Sequence, residues 1–215
     1  MFSLTKIVVL ASGNGTNLQA LIDANHTGRI RAEIAGVICN VPDAYALERA
    51  RQANIRTQVI DHRKFEDRAA FEAEVTKVLQ EWKAELIVLA GFMRVLTPAF
   101  VNRYSGQMIN IHPSLLPAYR GLHTHARVMA TGDRSHGCSI HYVTSELDAG
   151  AVIAQAVMNV TAKDDLESIT SRVLELEHHL YPLVVSWIAA GRIALLGNRV
   201  YLDGQELQDP IRICL

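Results

Sequence analysis

The strongest constraint on this chain is a rhythm: compact β-branched runs alternate with amphipathic helical stretches, and only short loops separate them. Lys6-Ile-Val-Val-Leu-Ala11 reads as a buried strand. The polar loop Ser12-Gly-Asn-Gly-Thr-Asn17 follows, and then Leu18, Leu21 and Ile22 recur at helical spacing. The order repeats through a strand at 34–39, a helix at 44–53, a strand at 57–60, a long amphipathic helix at 65–82 and a strand at 86–90. Parallel strands need crossover connections, so this alternation predicts an α/β chain with an open, mostly parallel twisted sheet and helices on both faces.

After Pro98 the pattern predicts a short helix and then a strand at 107–111 that runs into His112-Pro-Ser-Leu-Leu-Pro117. Pro117, Gly121 and Gly132 punctuate 115–135, which reads as a loop with a short helix near 126–130. Strands at 139–143 and 152–160 flank the turn Glu146-Leu-Asp-Ala-Gly150. Asp164 or Asp165 is placed to cap a helix over 166–190, bent near Pro182 because proline lacks the N–H its ladder needs. Gly197-Asn198 and Asp203-Gly204 mark hairpin turns in a small tail. No repeat or long linker breaks the 215 residues, so one domain over 1–215 is the economical reading.

Composition removes whole classes of function. With 49% hydrophobic and 20% charged residues the chain is neither collagen-like nor disordered. Twenty-one basic against 22 acidic residues give a net charge of −1, so no cationic field exists to wrap nucleic acid, and none is expected as a partner. Cys39, Cys138 and Cys214 are odd in number, far apart and without a CxxC spacing, which fits packing residues in a reducing cytosol. The apolar runs fall short of the roughly 18 residues of a membrane span. The N-terminus carries no secretory h-region with a cleavage site, so a cytoplasmic protein without membrane attachment is expected.

Three places carry candidate chemistry. Gly13, Asn14 and Gly15 lie between a first strand and a first helix, where backbone N–H groups and the positive helix end favour an anion such as phosphate. Leu18 stands where a dinucleotide fingerprint needs its third glycine, and there is no Gly-Lys-Ser/Thr of a P-loop. Glycines that merely make a tight turn are the competing reading, against which polar Thr16 and Asn17 weigh. Asn110 and His112, two apart at a strand end, point the same way and can equip one pocket with oxyanion donors; the alternative is that they cap a turn before Pro113. Asp148 offers a base or a carboxylate to orient the histidine, or it is simply a turn residue. His123, His125, His136, His141, His178 and His179 suggest metal, but no HExxH or Cys/His set exists, and adjacent His178 and His179 would point about 100° apart on a helix, so no metal is expected. Met93, Val95 and Leu96 read as core or pocket wall. Arg94 either snorkels or grips a ligand carboxylate, and Glu177 is either a solvated helix residue or a ligand contact.

Taken in order, Ser12-Gly-Asn-Gly-Thr-Asn17, Ala90-Gly-Phe-Met-Arg94, Asn110-Ile-His-Pro-Ser-Leu-Leu-Pro117, Gly121-Leu-His-Thr-His125 and Glu146-Leu-Asp-Ala-Gly150 resemble the phosphoribosylglycinamide formyltransferases over at least 6–187. The resemblance implies a Rossmann-like formyltransferase fold and transfer of the formyl group of 10-formyltetrahydrofolate to glycinamide ribonucleotide. It implies Asn110, His112 and Asp148 as the catalytic trio. Gly13, Asn14, Gly15, Thr16 and Asn17 would hold the ribonucleotide, with Glu177 on its ribose. On the folate side it implies Arg68 at the benzoylglutamate end, then Met93, Arg94, Val95, Leu96, Asn110, Thr144, Ser145, Glu146, Leu147 and Asp148. Residues 1–105 would then be the ribonucleotide-phosphate half and 106–215 the folate and catalytic half. The partners implied are two small molecules, with no metal, acting on a monomer or homodimer. Two regions are less fixed by the family pattern: Ser145 stands where an acidic residue is more usual, and the segment Ala118-Tyr-Arg-Gly121 varies in the family, so no role carries over to Ala118 or Arg120.

Three other functions fit parts of this pattern. A methionyl-tRNA formyltransferase would add a basic C-terminal domain, whereas this chain ends near Gln205-Glu-Leu-Gln-Asp209 in a neutral tail. A formyltetrahydrofolate hydrolase would carry an extra N-terminal regulatory domain. A non-catalytic binder of a phosphorylated metabolite would have no use for Asn110, His112 and Asp148 together.

Overall fold

The structure, a computed structural model, describes residues 4–214. The first half runs β1 (Thr5–Ala11), α1 (Thr16–His26), β2 (Ala32–Cys39), α2 (Tyr45–Gln52), β3 (Thr57–Val59), a 3-10 turn at His62–Lys64, α3 (Arg68–Glu81), β4 (Leu86–Leu89) and α4 (Pro98–Arg103). The second runs β5 (Met108–His112), α5 (Thr124–Thr131), β6 (Ser135–Tyr142), β7 (Val152–Asn159), α6 (Leu166–Ala189), β8 (Ile193–Leu196), β9 (Arg199–Leu202), β10 (Gln205–Glu206) and β11 (Ile211–Cys214).

Eight strands form one sheet in the order β11-β7-β6-β5-β4-β1-β2-β3. Among the described residues only its β5–β6 and β6–β7 pairs are antiparallel; its other pairs are parallel, as the alternation of elements predicts. The pleat of β1 sorts its side chains onto two faces. Ile7, Val9 and Ala11 pack with α1, α2 and α6, while Val8 and Leu10 pack with α3 and α4. All five are at most 2% exposed, and each large one contributes about 1.5–3 kcal/mol of burial. On α6 the buried set Ile169, Val173, Leu176, Leu180, Tyr181 and Val184 follows helical spacing. Tyr181 extends this grip: its hydroxyl donates to the Leu89 carbonyl (2.8 Å) at the end of β4.

Several boundaries differ from the sequence reading, each for a physical reason. The long helix begins at Arg68, not 65, because Asp67 caps it by accepting from the Ala70 N–H (2.8 Å). Asp165 is the cap of α6, in a reciprocal box with Ser168, and the helix continues through Pro182. Strand β6 starts at Ser135, four residues early, because β7 pairs with it as far as Asn159. The hairpins of the tail form a small sheet, β10-β9-β8, but the chain then returns so that β11 pairs in parallel with β7. No local pattern announced that return.

Chain order reverses at β1: β2 and β3 lie to one side, β4 and β5 to the other. Outside the carboxyl ends of β1, β4 and β5 this reversal leaves a crevice, where open α/β sheets bind ligands.

Candidate active site

The first wall is the loop that follows β1. Gly15 is the N-cap of α1 at φ 75°, and no side chain caps the first turn, so its N–H groups stay available to an anion. Arg49 on α2 holds the loop from behind, donating to the Asn14 carbonyl (2.9 Å) and to Asn14 Oδ1 (2.8 Å), while the Ala46 N–H donates to the Gly13 carbonyl (3.1 Å). Gly13 and Asn14 are exposed and Thr16 is half-buried. Asn17 is buried and donates from Nδ2 to Glu177 Oε2 on α6 (2.7 Å), leaving Asn17 Oδ1 buried without a partner among the described residues. Burial pushes the Glu177 carboxyl up to about 7, against the Asn17 bond that favours its charged form. An orphaned acceptor beside a carboxylate suits a ligand with hydroxyl donors.

The second wall is a cluster of polar side chains at the end of β5. His112 is 6% exposed; its Nε2–H donates to the Tyr119 carbonyl (2.9 Å), and its Nδ1 lies 3.4 Å from Asp148 Oδ2. Asp148, at φ 49°, also accepts from the Gly121 N–H (2.9 Å). Asn110 donates from Nδ2 to Nε2 of His141 (3.2 Å), the residue opposite it in register on β6. The Nδ1–H of His141 in turn donates to the Tyr142 carbonyl (2.9 Å), which makes its Nε2 the acceptor. Burial pushes His141 down and keeps it neutral, only partly offset by that carbonyl bond and by the Asp148 charge. One hydrogen of the Asn110 amide is thereby fixed, and the other is free to donate.

The remaining candidate residues lie in the segments 91–97 and 144–148 and at Arg68. Met93 (72%) and Val95 (59%) are exposed apolar side chains, Leu96 is buried and Arg94 half-buried. Arg68 is exposed at the start of α3, one turn before Glu72, whose carboxylate holds Thr97 at the end of the 91–97 segment. Thr144 is half-buried and donates to the Glu146 carbonyl (3.1 Å); Ser145, Glu146 and Leu147 are exposed. Arg120 donates to Glu146 Oε1 (2.8 Å) and bridges the loop after Pro117 to this turn.

The fold therefore gathers Asn110, His112 and Asp148 at one point, with Asn17 and Glu177 paired on α1 and α6. Sequence reading missed His141 as a site residue, counting it only as possible metal material. The signal that would find it is its register opposite Asn110, which needs the strand pairing. It also missed the Tyr119 carbonyl, since backbone atoms leave no mark on residue type. Among the described residues no three His, Cys, Asp or Glu side chains cluster as metal ligands, and no helix is long and apolar enough to cross a membrane. Burial pushes the Cys39 thiol up to about 12, which removes it as a nucleophile.

The family model described as formyl transferase matches residues 5–185. The phosphoribosylglycinamide formyltransferase of Escherichia coli (strain K12) is 51% identical over 201 residues, covering 94% of this chain and 95% of that protein. The structure of the phosphoribosylglycinamide formyltransferase of Coxiella burnetii in complex with CHES is similar at a TM-score of 0.95 and 51% identity, covering 98% of this chain and 100% of that one. A formyltetrahydrofolate deformylase from Pseudomonas syringae shares the fold at a TM-score of 0.86, but at 26% identity, and the match covers 93% of this chain and 66% of that one.

Proposed function

The chain belongs to the formyl transferase family, and from that membership we propose that it transfers the formyl group of 10-formyltetrahydrofolate to the amine of glycinamide ribonucleotide, giving formylglycinamide ribonucleotide in purine biosynthesis. The observation that carries this reading is the convergence of Asn110, His112 and Asp148 beside a loop built for an anion, at the carboxyl end of the sheet. Identity of 51% to the transferases against 26% to the deformylase supports an amine rather than water as acceptor.

In this reading the ribonucleotide phosphate lies against the backbone of Gly13 to Thr16, and its ribose hydroxyls donate to Asn17 Oδ1 and Glu177. The reduced folate lies along Met93 to Leu96 and Thr144 to Asp148, with Arg68 at its carboxylate end. The 1–215 chain works as one domain, with the nucleotide loop in 1–105 and the catalytic groups in 106–215. As the amine attacks the formyl carbon, a C–N bond forms and negative charge develops on the formyl oxygen. The free N–H of Asn110 and a ring N–H of His112 stabilise that charge. Asp148 supports the imidazolium and takes the amine proton through a water; the folate nitrogen leaves with a proton from His112.

The geometry adds one requirement. Both nitrogens of His112 rest on protein atoms, so a ring N–H becomes available to the substrate only when the Tyr119 carbonyl or Asp148 yields its place. The loop carrying Tyr119 moves as the substrates bind in this scheme. Purine synthesis implies a cytoplasmic enzyme acting on two small molecules, as monomer or homodimer, and the chemistry needs no metal.

The direct test follows folate absorbance with purified protein, with and without the ribonucleotide. Turnover that requires the ribonucleotide and survives chelators is the expected result. Turnover indifferent to it would replace this reading with hydrolysis of the formyl donor.

A further inference from the structure

We propose that Ser12 and Glu72 are positioning residues that shape the formyl-donor side of the crevice by pinning the two ends of the segment 91–97. The inference rests on the reading of that segment as the folate wall. Between β4 and α4 these residues belong to no sheet or helix, so something else must order the backbone on which Met93 and Val95 stand exposed.

The first anchor lies at the topological switch point. The Ser12 N–H donates to the Gly91 carbonyl (3.1 Å), and the Ser12 hydroxyl accepts from the Met93 N–H (2.8 Å). That hydroxyl donates onward to Asn40 Oδ1 (2.6 Å). Asn40 is 1% exposed, and its backbone carbonyl accepts from the Nδ1–H of His62 (3.0 Å), so the residue that offers Ser12 its acceptor is held in place. Ser12 begins the loop that continues through Gly13 to Asn17. One hydroxyl therefore ties the nucleotide loop to the folate wall, two segments 81 residues apart.

The second anchor is Glu72 on α3, 4% exposed. Its Oε1 accepts from the Thr97 N–H (2.7 Å) and its Oε2 from the Thr97 hydroxyl. Thr97 also caps α4 through the Phe100 N–H (3.3 Å), so the segment ends at a fixed point. A carboxylate receiving two donors is a stronger clasp than a neutral acceptor. Glu72 lies four residues from Arg68 on α3, so the helix that carries the residue assigned to the folate carboxylate also anchors the wall. A segment held at both ends is preformed, and a ligand that docks on it need not supply the ordering.

The experiment compares S12A, S12T and E72Q with the wild type, by steady-state kinetics in both substrates and by calorimetric titration of tetrahydrofolate. S12A is expected to raise the KM for 10-formyltetrahydrofolate about 5–10-fold, the loss of one hydrogen bond, while kcat stays within about 3-fold. S12T, which keeps the hydroxyl, should restore the wild-type value. E72Q should raise the folate KM at least about as much, as loss of a charged acceptor requires, and leave the ribonucleotide KM unchanged. Wild-type affinity for tetrahydrofolate in S12A, or a kcat loss without a KM change, overturns the assignment. So does an equal rise in both KM values for E72Q. Should E72Q not fold, the S12A and S12T pair decides alone. Wild-type protein that binds no tetrahydrofolate would instead remove the underlying reading of the site.

Discussion

At the end of β1 the crevice is lined by backbone, while at the end of β5 it is lined by side chains already bonded to one another. From Gly13 to Thr16 the chain presents the first turn of a helix without a side-chain cap, and its shape is set from behind by Arg49 and Ala46. From Asn110 to Asp148, each polar group has a partner in His141, Tyr119, Gly121 or another member of the cluster. The two walls should therefore fail differently. Under the proposed mechanism, damage to the cluster should appear in rate, because its groups would act only as charge develops. Damage to the loop should appear in binding and stability, because its function is its conformation.

The sharpest way to break this contrast is Asp148→Asn, which keeps size but removes the charge facing His112. A kcat loss on the order of 10³ or more is expected by analogy with isosteric carboxylate replacement in a catalytic triad, with thermal stability little changed. His112→Ala alone should cost roughly 10²–10³, and the double variant much less than the product of the two, because residues acting as a unit are non-additive. Multiplicative losses would separate the two residues. An active but destabilised Asp148→Asn would make position 148 architectural.

On the loop side the next effect is one of pH. Glu177 is raised from 4.5 to about 7 by burial, so the folded protein holds this proton more tightly than the unfolded chain. Its contribution to stability is complete below pH 4.5 and is lost as pH rises through about 7. Glu177→Gln, neutral throughout, should escape that loss, on the order of 2–4 kcal/mol relative to wild type above the window. Urea unfolding at pH 4.5 and pH 8 measures it. A difference that does not change with pH would show that Glu177 is not held protonated by its burial.

The smallest effect separates two glycines of one loop. A Cβ on Gly15, at φ 75°, would stand 2.7 Å from the Ala46 Cβ, whereas one on Gly13 would meet nothing within 4 Å. Gly15→Ala should cost about 1–3 kcal/mol of stability, and Gly13→Ala about 0.5 kcal/mol or less. Equal effects in thermal melts would mean that α2 does not set the shape of the loop. The structure thus gives Gly15 a packing reason independent of phosphate, one that glycine spacing alone cannot reveal.

Much of the molecule was legible in advance because its signals are local. Strand and helix periods identified most of the successive elements and a mostly parallel sheet. The spacing of Asn110 and His112 placed both on one side of β5, since alternate residues of a strand share a face. What remained hidden depended on register and return. His141 stands beside Asn110 only because β6 pairs antiparallel with β5. Ser12 reaches Met93 only because β1 and β4 are neighbours, and β11 closes the sheet edge only because the tail folds back onto β7. By itself the sequence determined which way each side chain leaves its own element, a matter of backbone geometry over a few residues. Only the tertiary structure decided which side chains meet, because strand order and register are settled by packing summed over the whole core, and a shift of one residue would send His141 to the opposite face.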